Sequence, residues 1–293
     1  MNRPPTAALD RLDAAAEAAA SRVIGVYSTS FGLATRLLGR RHRRHVRNLY
    51  AMVRVADEIV DGAGTEAGLD RAALASRLDG YEDAAHAAMR EGFATDLVLH
   101  AFARTAREAG ITEELTAPFF ASMRTDVLAT AFDAEAHAAY VHGSAEVVGL
   151  MCLRVFLREE RPRPEHLAVM ERGARALGAA FQNVNFLRDL AEDTSRLGHS
   201  YLAPGGRLTA EDHRMWTTTI RAQLAAAAEA IPLLPRDART AVRTAHALFS
   251  ALADRLERSE VTELYRRRVR VPSPHKLALA AGAALRTATE PAR

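Results

Sequence analysis

An all-α fold, built as a single bundle, is what this sequence predicts, and three observations carry it. Apolar residues recur at spacings of three and four along most of the 293-residue chain, as they do in helices with one buried face. Gly62, Gly92, Gly110, Pro162 and Pro164 fall at the breaks between these periodic segments, where chain punctuation belongs. No stretch shows the strict alternation of a strand, and no internal repeat is evident. With 48% hydrophobic residues the chain can bury a sizeable core.

The elements follow in order. The Ala-rich segment 7–25 reads as a first helix. Tyr27, Ser28, Thr29 and Ser30 interrupt it with hydroxyl side chains that can cap the next helix, which runs to about residue 38. A helix over 42–61 ends at Gly62 and Gly64, and helices are predicted over 69–90, 94–109, 113–131 and 135–157. Asp126 and Asp133 in this region are expected to be solvated. Gly143, Ser144, Ala145 and Gly149 allow close helix packing or leave room for a ligand. Pro162 and Pro164 precede a long helix, which ends in a loop containing Gly198, Pro204, Gly205 and Gly206. Further helices start at Thr209, near Asp237 and at Ser273–Pro274, the last running to about residue 287.

Composition excludes several classes. Cys152 is the sole cysteine, so neither an intrachain disulfide nor a multi-cysteine metal site can form. The N-terminus lacks the apolar segment of a signal peptide, and no run of about 20 apolar residues is present to span a bilayer. Of the 39 basic residues only Lys276 is lysine, and the formal charge is +3. The basic residues cluster in the runs 40–47 and 266–270, which suit phosphate on a nucleic acid, a membrane or a small substrate. Neither G-x-x-x-x-G-K-[ST] nor a strand leading into G-x-G-x-x-G occurs, which removes support for P-loop and dinucleotide-binding readings.

Two polar stripes stand out on otherwise apolar helices. On the segment 182–201, Gln182, Asn185, Asp189 and Asp193 share one narrow face, with Val184, Leu187 and Leu190 turned away. On 47–61, Arg47, Tyr50, Arg54, Asp57 and Asp61 share another, with Met52, Val55 and Ile59 turned away. A single D-x-x-x-D is weak evidence, because Asp pairs are common on solvated faces. Two of them, each accompanied by arginine, point to carboxylates in a cavity that need a cation. Glu-x-x-His pairs for a di-iron site are absent. Mg²⁺ fits better, since it takes one or two carboxylates and completes its shell with water and substrate phosphate. The implied substrate is a diphosphate.

The stretches YSTSFGLATRLL, NLYAMVRVADEIVDG, YVHGSAEVVGL and GAAFQNVNFLRDLAED resemble, in order and spacing, motifs of the squalene and phytoene synthase family, over roughly residues 20 to 285. Within it they are most similar to phytoene synthases of actinobacterial carotenoid pathways. The resemblance implies an isoprenoid synthase helical bundle around a central cavity, occupying residues 21–288 after a partly helical extension over 1–20. It further implies that Asp57, Glu58, Asp61, Asn185, Asp189 and Asp193 hold Mg²⁺, with Mn²⁺ as its substitute. Ser28, Ser30, Tyr50, Arg54, Arg188, Tyr201 and Arg268 would meet diphosphate, and Tyr140 and Gln182 would line the reaction chamber.

The implied reaction is head-to-head condensation of two geranylgeranyl diphosphates to phytoene through the cyclopropyl intermediate prephytoene diphosphate, with no need for NADPH. The alternative on the same fold is squalene or dehydrosqualene formation from farnesyl diphosphate. Partners implied are prenyl diphosphates and a downstream desaturase, with no nucleic acid, and the location is cytoplasmic with peripheral membrane contact. Two departures touch the finer contacts: His199 stands where relatives commonly have Arg, and Phe249 where some have Tyr. The loop 198–206 is placed to close the chamber.

Overall fold

Helices make up nearly all of the computed structural model, which describes residues 7–28, 30–128, 133–196, 202 and 206–290, the side chains of 30 and 192–196 excepted. Among the described residues there is no strand. The order is α1 (Ala7–Tyr27), α2 (Ser30–Arg36), α3 (Arg40–Asp61), α4 (Ala63–Glu66), α5 (Arg71–Glu91), α6 (Leu97–Ala109) and α7 (Glu113–Leu128). Then follow α8 (Ala134–Val141), a π turn (His142–Glu146), α9 (Val147–Leu157), α10 (Pro164–Arg196), α11 (Ala210–Ala230), α12 (Arg236–Arg258), α13 (Val261–Leu264) and α14 (Ser273–Thr289). Local chemistry sets many of these ends. Asp70, Asp96 and Asp133 accept N–H bonds at the starts of α5, α6 and α8, and Thr209 and Asp212 form a capping box on α11. Gly92 and Gly110 close α5 and α6 in the left-handed conformation.

Two separate apolar cores organise these helices. The first gathers Leu49 and Met52 of α3 with Phe102, Phe119, Phe120 and Met151, and the second gathers Val184, Leu187 and Leu190 of α10 with Ile220 and Leu256. Full burial of one such side chain contributes about 1.5–3 kcal/mol. α3 packs on α1, α5, α6, α7 and α9, whereas α10 packs on α8, α9, α11 and α12. The two stripe-bearing helices share no packed face.

α1 runs unbroken past residue 20, where the sequence reading ends its extension, and Ala16 and Ala20 are fully buried beside Ala51 and Ala101. His100 bonds Asp13 at 2.8 Å and Arg104 bonds Glu17 at 3.0 Å, so α6 grips α1 by polar contacts as well. The small residues near the π turn serve close packing. A Cβ on Gly143 would lie 2.1 Å from the Pro118 carbonyl oxygen, and one on Gly178 would lie 2.3 Å from that of Ala145. α8, the π turn and α9 form a run of 24 residues, Ala134–Leu157, apolar and long enough to cross a membrane. It is a core helix instead: Val147, Met151 and Val155 are buried in the first core.

The histidines depart from expectation. Sequence position puts most of them beside arginines or on polar faces, yet His42, His45, His100, His137 and His213 are buried. His45 accepts from the Arg44 Nε–H at 3.2 Å, so its Nδ1 carries the proton, which it donates to Thr105 at 3.0 Å. Burial, followed by repulsion from Arg158, Arg44 and Arg104, pushes the His45 imidazole down to about 3. A base whose folded pKa lies below its ordinary value of about 6.5 contributes stability that is complete above that value and is lost as the pH falls toward 3. Urea melts between pH 7.5 and 4.5 should therefore show stability falling below pH 6.5, with His45 adding up to about 1.4 kcal/mol per pH unit. His45→Gln should be less stable at pH 7.5 and show a shallower fall; an unchanged slope would contradict this assignment.

Candidate active site

α3 builds one wall from its stripe. Tyr50, Arg54, Asp57 and Glu58 are partly buried, and Asp61 is exposed at the helix end. Arg54 donates to both Asp57 and Glu58. Its guanidinium also lies over the Tyr27 ring, 4.6 Å from the centroid. Ser28 caps α2 by accepting from Gly32 N at 3.3 Å, and its hydroxyl also bonds Tyr50, whose phenol burial raises in pKa. Phe31 stacks on Tyr50 with centroids 5.4 Å apart. The junction of α1 and α2 thus lies against the stripe, residue 27 at 54 and residue 31 at 50.

Asp57 is the most strained charge of this wall. Burial pushes its carboxyl up to about 6, opposed by Arg54 and reinforced by Asp61 and Glu58. Its side chain is nonetheless 39% accessible to solvent. One guanidinium does not neutralise three carboxylates within five residues.

α10 builds the second wall. Gln182, Asn185, Arg188 and Asp189 are partly buried there. Arg188 Nε donates to Asp189 at 2.8 Å. α13 packs on α10, and beyond it Arg268 Nε reaches Asp189 at 2.7 Å. The arginine expected from the C-terminal region is thereby brought to this carboxylate. Phe249 of α12 stacks on Phe181, one residue before Gln182, at 3.7 Å between centroids. The side chains of Ser30 and Asp193, together with His199 and Tyr201, lie outside the described residues, as does most of the loop 198–206.

Tyr140 is buried and packs on Phe186 of α10, with centroids 5.8 Å apart. Its hydroxyl donates to Asp126 at 2.9 Å. Asp126 is therefore a hydrogen-bond partner of Tyr140 rather than a solvated side chain. No spacing in the sequence signals it, because its partner sits on another helix. Behind α3, Val55, Ile59, Tyr81 and Leu99 line a cleft of about 720 Å³ that Glu58 also borders. It flanks the acidic stripe on the α5–α6 side and belongs to a different space.

Among the described residues no three His, Cys, Asp or Glu side chains gather at one point. The donor chemistry still fits a hard divalent cation: Asp57, Glu58 and Asp61 lie within five residues, and their mutual repulsion leaves Asp57 short of positive charge. Arg54, Arg188 and Arg268 partly fill that need.

The sequence profile of the squalene/phytoene synthase family matches residues 24–205. A phytoene synthase of Pseudescherichia vulneris is 32% identical over 174 residues, which is 57% of this chain and 53% of that protein, so the match spans about half of the relative's length. The fold is similar to that of a dehydrosqualene synthase solved with a ligand, at a TM-score of 0.72 and 20% identity over 96% of this chain and 99% of that one. It is also similar to the squalene synthase HpnC from Alicyclobacillus acidocaldarius, at 0.67 and 18% over 88% and 97%. These likenesses establish the isoprenoid synthase helical fold.

The Tyr140–Asp126 bond can be measured directly. Tyr140→Phe and Asp126→Ala should each destabilise the protein, and a double-mutant cycle should return a coupling of about 1–2 kcal/mol. Additive effects would mean that the bond contributes nothing in solution.

Proposed function

Because this chain belongs to the squalene/phytoene synthase family, we propose that it joins two molecules of geranylgeranyl diphosphate head to head, forming phytoene by way of prephytoene diphosphate. The observation that carries a diphosphate reaction is the pairing of carboxylates with arginine on two helices that belong to separate cores, Arg54 with Asp57 and Glu58, and Arg188 and Arg268 with Asp189. The phytoene product is supported by the motif likeness and by the 32% identity to a phytoene synthase. The second reading, squalene or dehydrosqualene from farnesyl diphosphate, is supported by the fold's similarity to enzymes of those names.

In this reading each group of the chain has a physical task. Arg54, Arg188 and Arg268 turn from their carboxylates to diphosphate oxygens and hold the leaving group by charge-assisted bonds. Asp57, Glu58, Asp61, Asn185, Asp189 and Asp193 would hold Mg²⁺, or Mn²⁺ in its place. Bound there, the metal supplies positive charge to the departing diphosphate. Ser28 and Tyr50 orient the diphosphate end of the α3 wall, and Ser30 and Tyr201 are assigned to the same end by motif. Gln182, Tyr140 and Phe186 border the chain-joining region, where an apolar lining keeps water from the allylic cations. Tyr140 keeps its hydroxyl proton directed at Asp126, so it presents its ring rather than a nucleophilic oxygen.

We place the protein in the cytoplasm with peripheral contact to the membrane, since substrate tails and product are lipid-like, and a desaturase is the expected consumer of phytoene. No NADPH is expected. A nucleic-acid role loses its best argument, because Arg41 and Arg44 of the basic run are held by Asp237, Glu159, Glu160 and Glu108.

Incubation with geranylgeranyl or farnesyl diphosphate and Mg²⁺, with and without NADPH, followed by product identification, tests the proposal. Phytoene should form from the twenty-carbon substrate without reductant. A strong preference for farnesyl diphosphate or a requirement for NADPH would move the assignment to the second reading. Asp57→Asn and Asp189→Asn should each lower turnover by on the order of 100-fold or more while leaving the melting temperature within a few degrees. Near-normal turnover in either would remove that aspartate from the site.

A further inference from the structure

The basic run 40–47 is divided by the fold. Arg41 bonds Asp237 at 2.7 Å, Glu160 at 2.9 Å and Glu159 at 3.0 Å, and Arg44 bonds Glu108 at 2.9 Å. Arg43 and Arg47 lie on the other side, on the same stripe as Tyr50 and Arg54. Arg43 gives one N–H to the Leu38 carbonyl at 2.8 Å, and its Nε is buried with no partner. Arg47 is partly buried, and burial, Arg43 and Arg36 all lower its pKa, with no carboxylate acting against them. Among the described residues none of Arg36, Arg43 and Arg47 makes an ion pair, whereas Arg54 on the same stripe bridges two carboxylates.

Position adds to this. Arg36, in the last turn of α2, lies near enough to Arg47 to help lower its pKa. The α3 N-terminus itself is served by Asp237, which bonds Arg41 and His42, whereas the three cations on the stripe side have no carboxylate partner among the described residues. At 1.5 Å per residue Arg47 stands about 15 Å along α3 from Asp57, beyond the reach of a diphosphate held by the acidic half.

We propose that Arg36, Arg43 and Arg47 form an anion site, separate from the acidic half of the stripe, that takes a phosphate or diphosphate group. Guanidinium forks match the several oxygens of such a group, and a dianion supplies the charge that the cluster lacks. The group is either free inorganic diphosphate or the headgroup of an anionic phospholipid, and the chemistry of recognition is the same for both.

The test uses the full-length chain in EDTA, where metal-dependent binding is silent. Calorimetric titration with inorganic diphosphate is compared among the wild type, Arg43→Gln/Arg47→Gln and Arg54→Gln/Arg188→Gln. Co-sedimentation with phosphatidylglycerol and with phosphatidylcholine vesicles forms the second arm. The site predicts that the Arg43/Arg47 pair weakens diphosphate binding tenfold or more, and by more than the Arg54/Arg188 pair does. Binding to phosphatidylglycerol alone, lost in the same Arg43/Arg47 variant and without affinity for free diphosphate, would assign the phosphate to lipid. Equal binding by wild type and the Arg43/Arg47 variant in both arms would overturn the proposal, as would a loss confined to Arg54→Gln/Arg188→Gln. Thermal melts guard against misfolding, and 1 mM diphosphate should raise the wild-type melting temperature but not the variant's. Should that variant fail to fold, the exposed Arg36→Gln carries the test, with a threefold loss expected and no loss counting against the site.

Discussion

Everything in this bundle is arranged around a charge problem. Partly buried carboxylates on α3 and α10 have lost some of their water, and a charge left there without a partner would be costly. Arg54, Arg188 and Arg268 answer that cost in the protein alone. Such pairs differ from exposed ion pairs, which contribute little because solvent screens them and side-chain entropy opposes them. Here the side chains of Glu58 and Asp189 are 17% and 18% exposed, so solvent screens these pairs less than surface ones. Both apolar cores lie on the far sides of the two helices, which is why the polar sides can remain unpacked.

The same economy shows in arginines far from the chamber. Arg41 and His42 both meet Asp237, tying the start of α3 to the start of α12, while Arg41 also reaches Glu159 and Glu160 ahead of α10. Arg239, only 7% exposed, bonds the Leu234 carbonyl and Glu290, and Arg243 joins it there, which clamps the end of α14 to α12. Part of the Arg excess is used in the fold as a set of cross-links between helices distant along the chain.

What could be read beforehand follows from the range of the interactions involved. Helical periodicity is local, so the helix expected over 42–61 is α3 (Arg40–Asp61), and that expected over 113–131 is α7 (Glu113–Leu128). The stripes are also local, and Tyr50, Arg54, Asp57, Glu58, Asn185 and Asp189 fall on partly open faces as their spacing implies. The bond between Tyr140 and Asp126 was not legible, because it joins side chains on two different helices. Nor were the buried histidines, whose neighbours at His45 and Arg44 suggest a solvated run while the partner Thr105 lies 60 residues away. Arg268 is an intermediate case: likeness to relatives pointed to it, and only the packing of α13 on α10 gives the physical reason that it arrives.

The π turn His142–Glu146 has no compositional mark, yet it sets the phase between the two halves of a continuous helical run. One surplus residue in a helix is taken up as a bulge instead of a rotation. Gly143 then seats on Pro118 of α7 while Ala145 meets Gly178 of α10. Deleting that residue would restore a regular helix but turn α8 by about 100° relative to α9. Tyr140 would swing off Asp126 although neither residue had changed. For this segment, insertions and deletions are thus more disruptive than substitutions, and its length is as much a part of the site as its side chains.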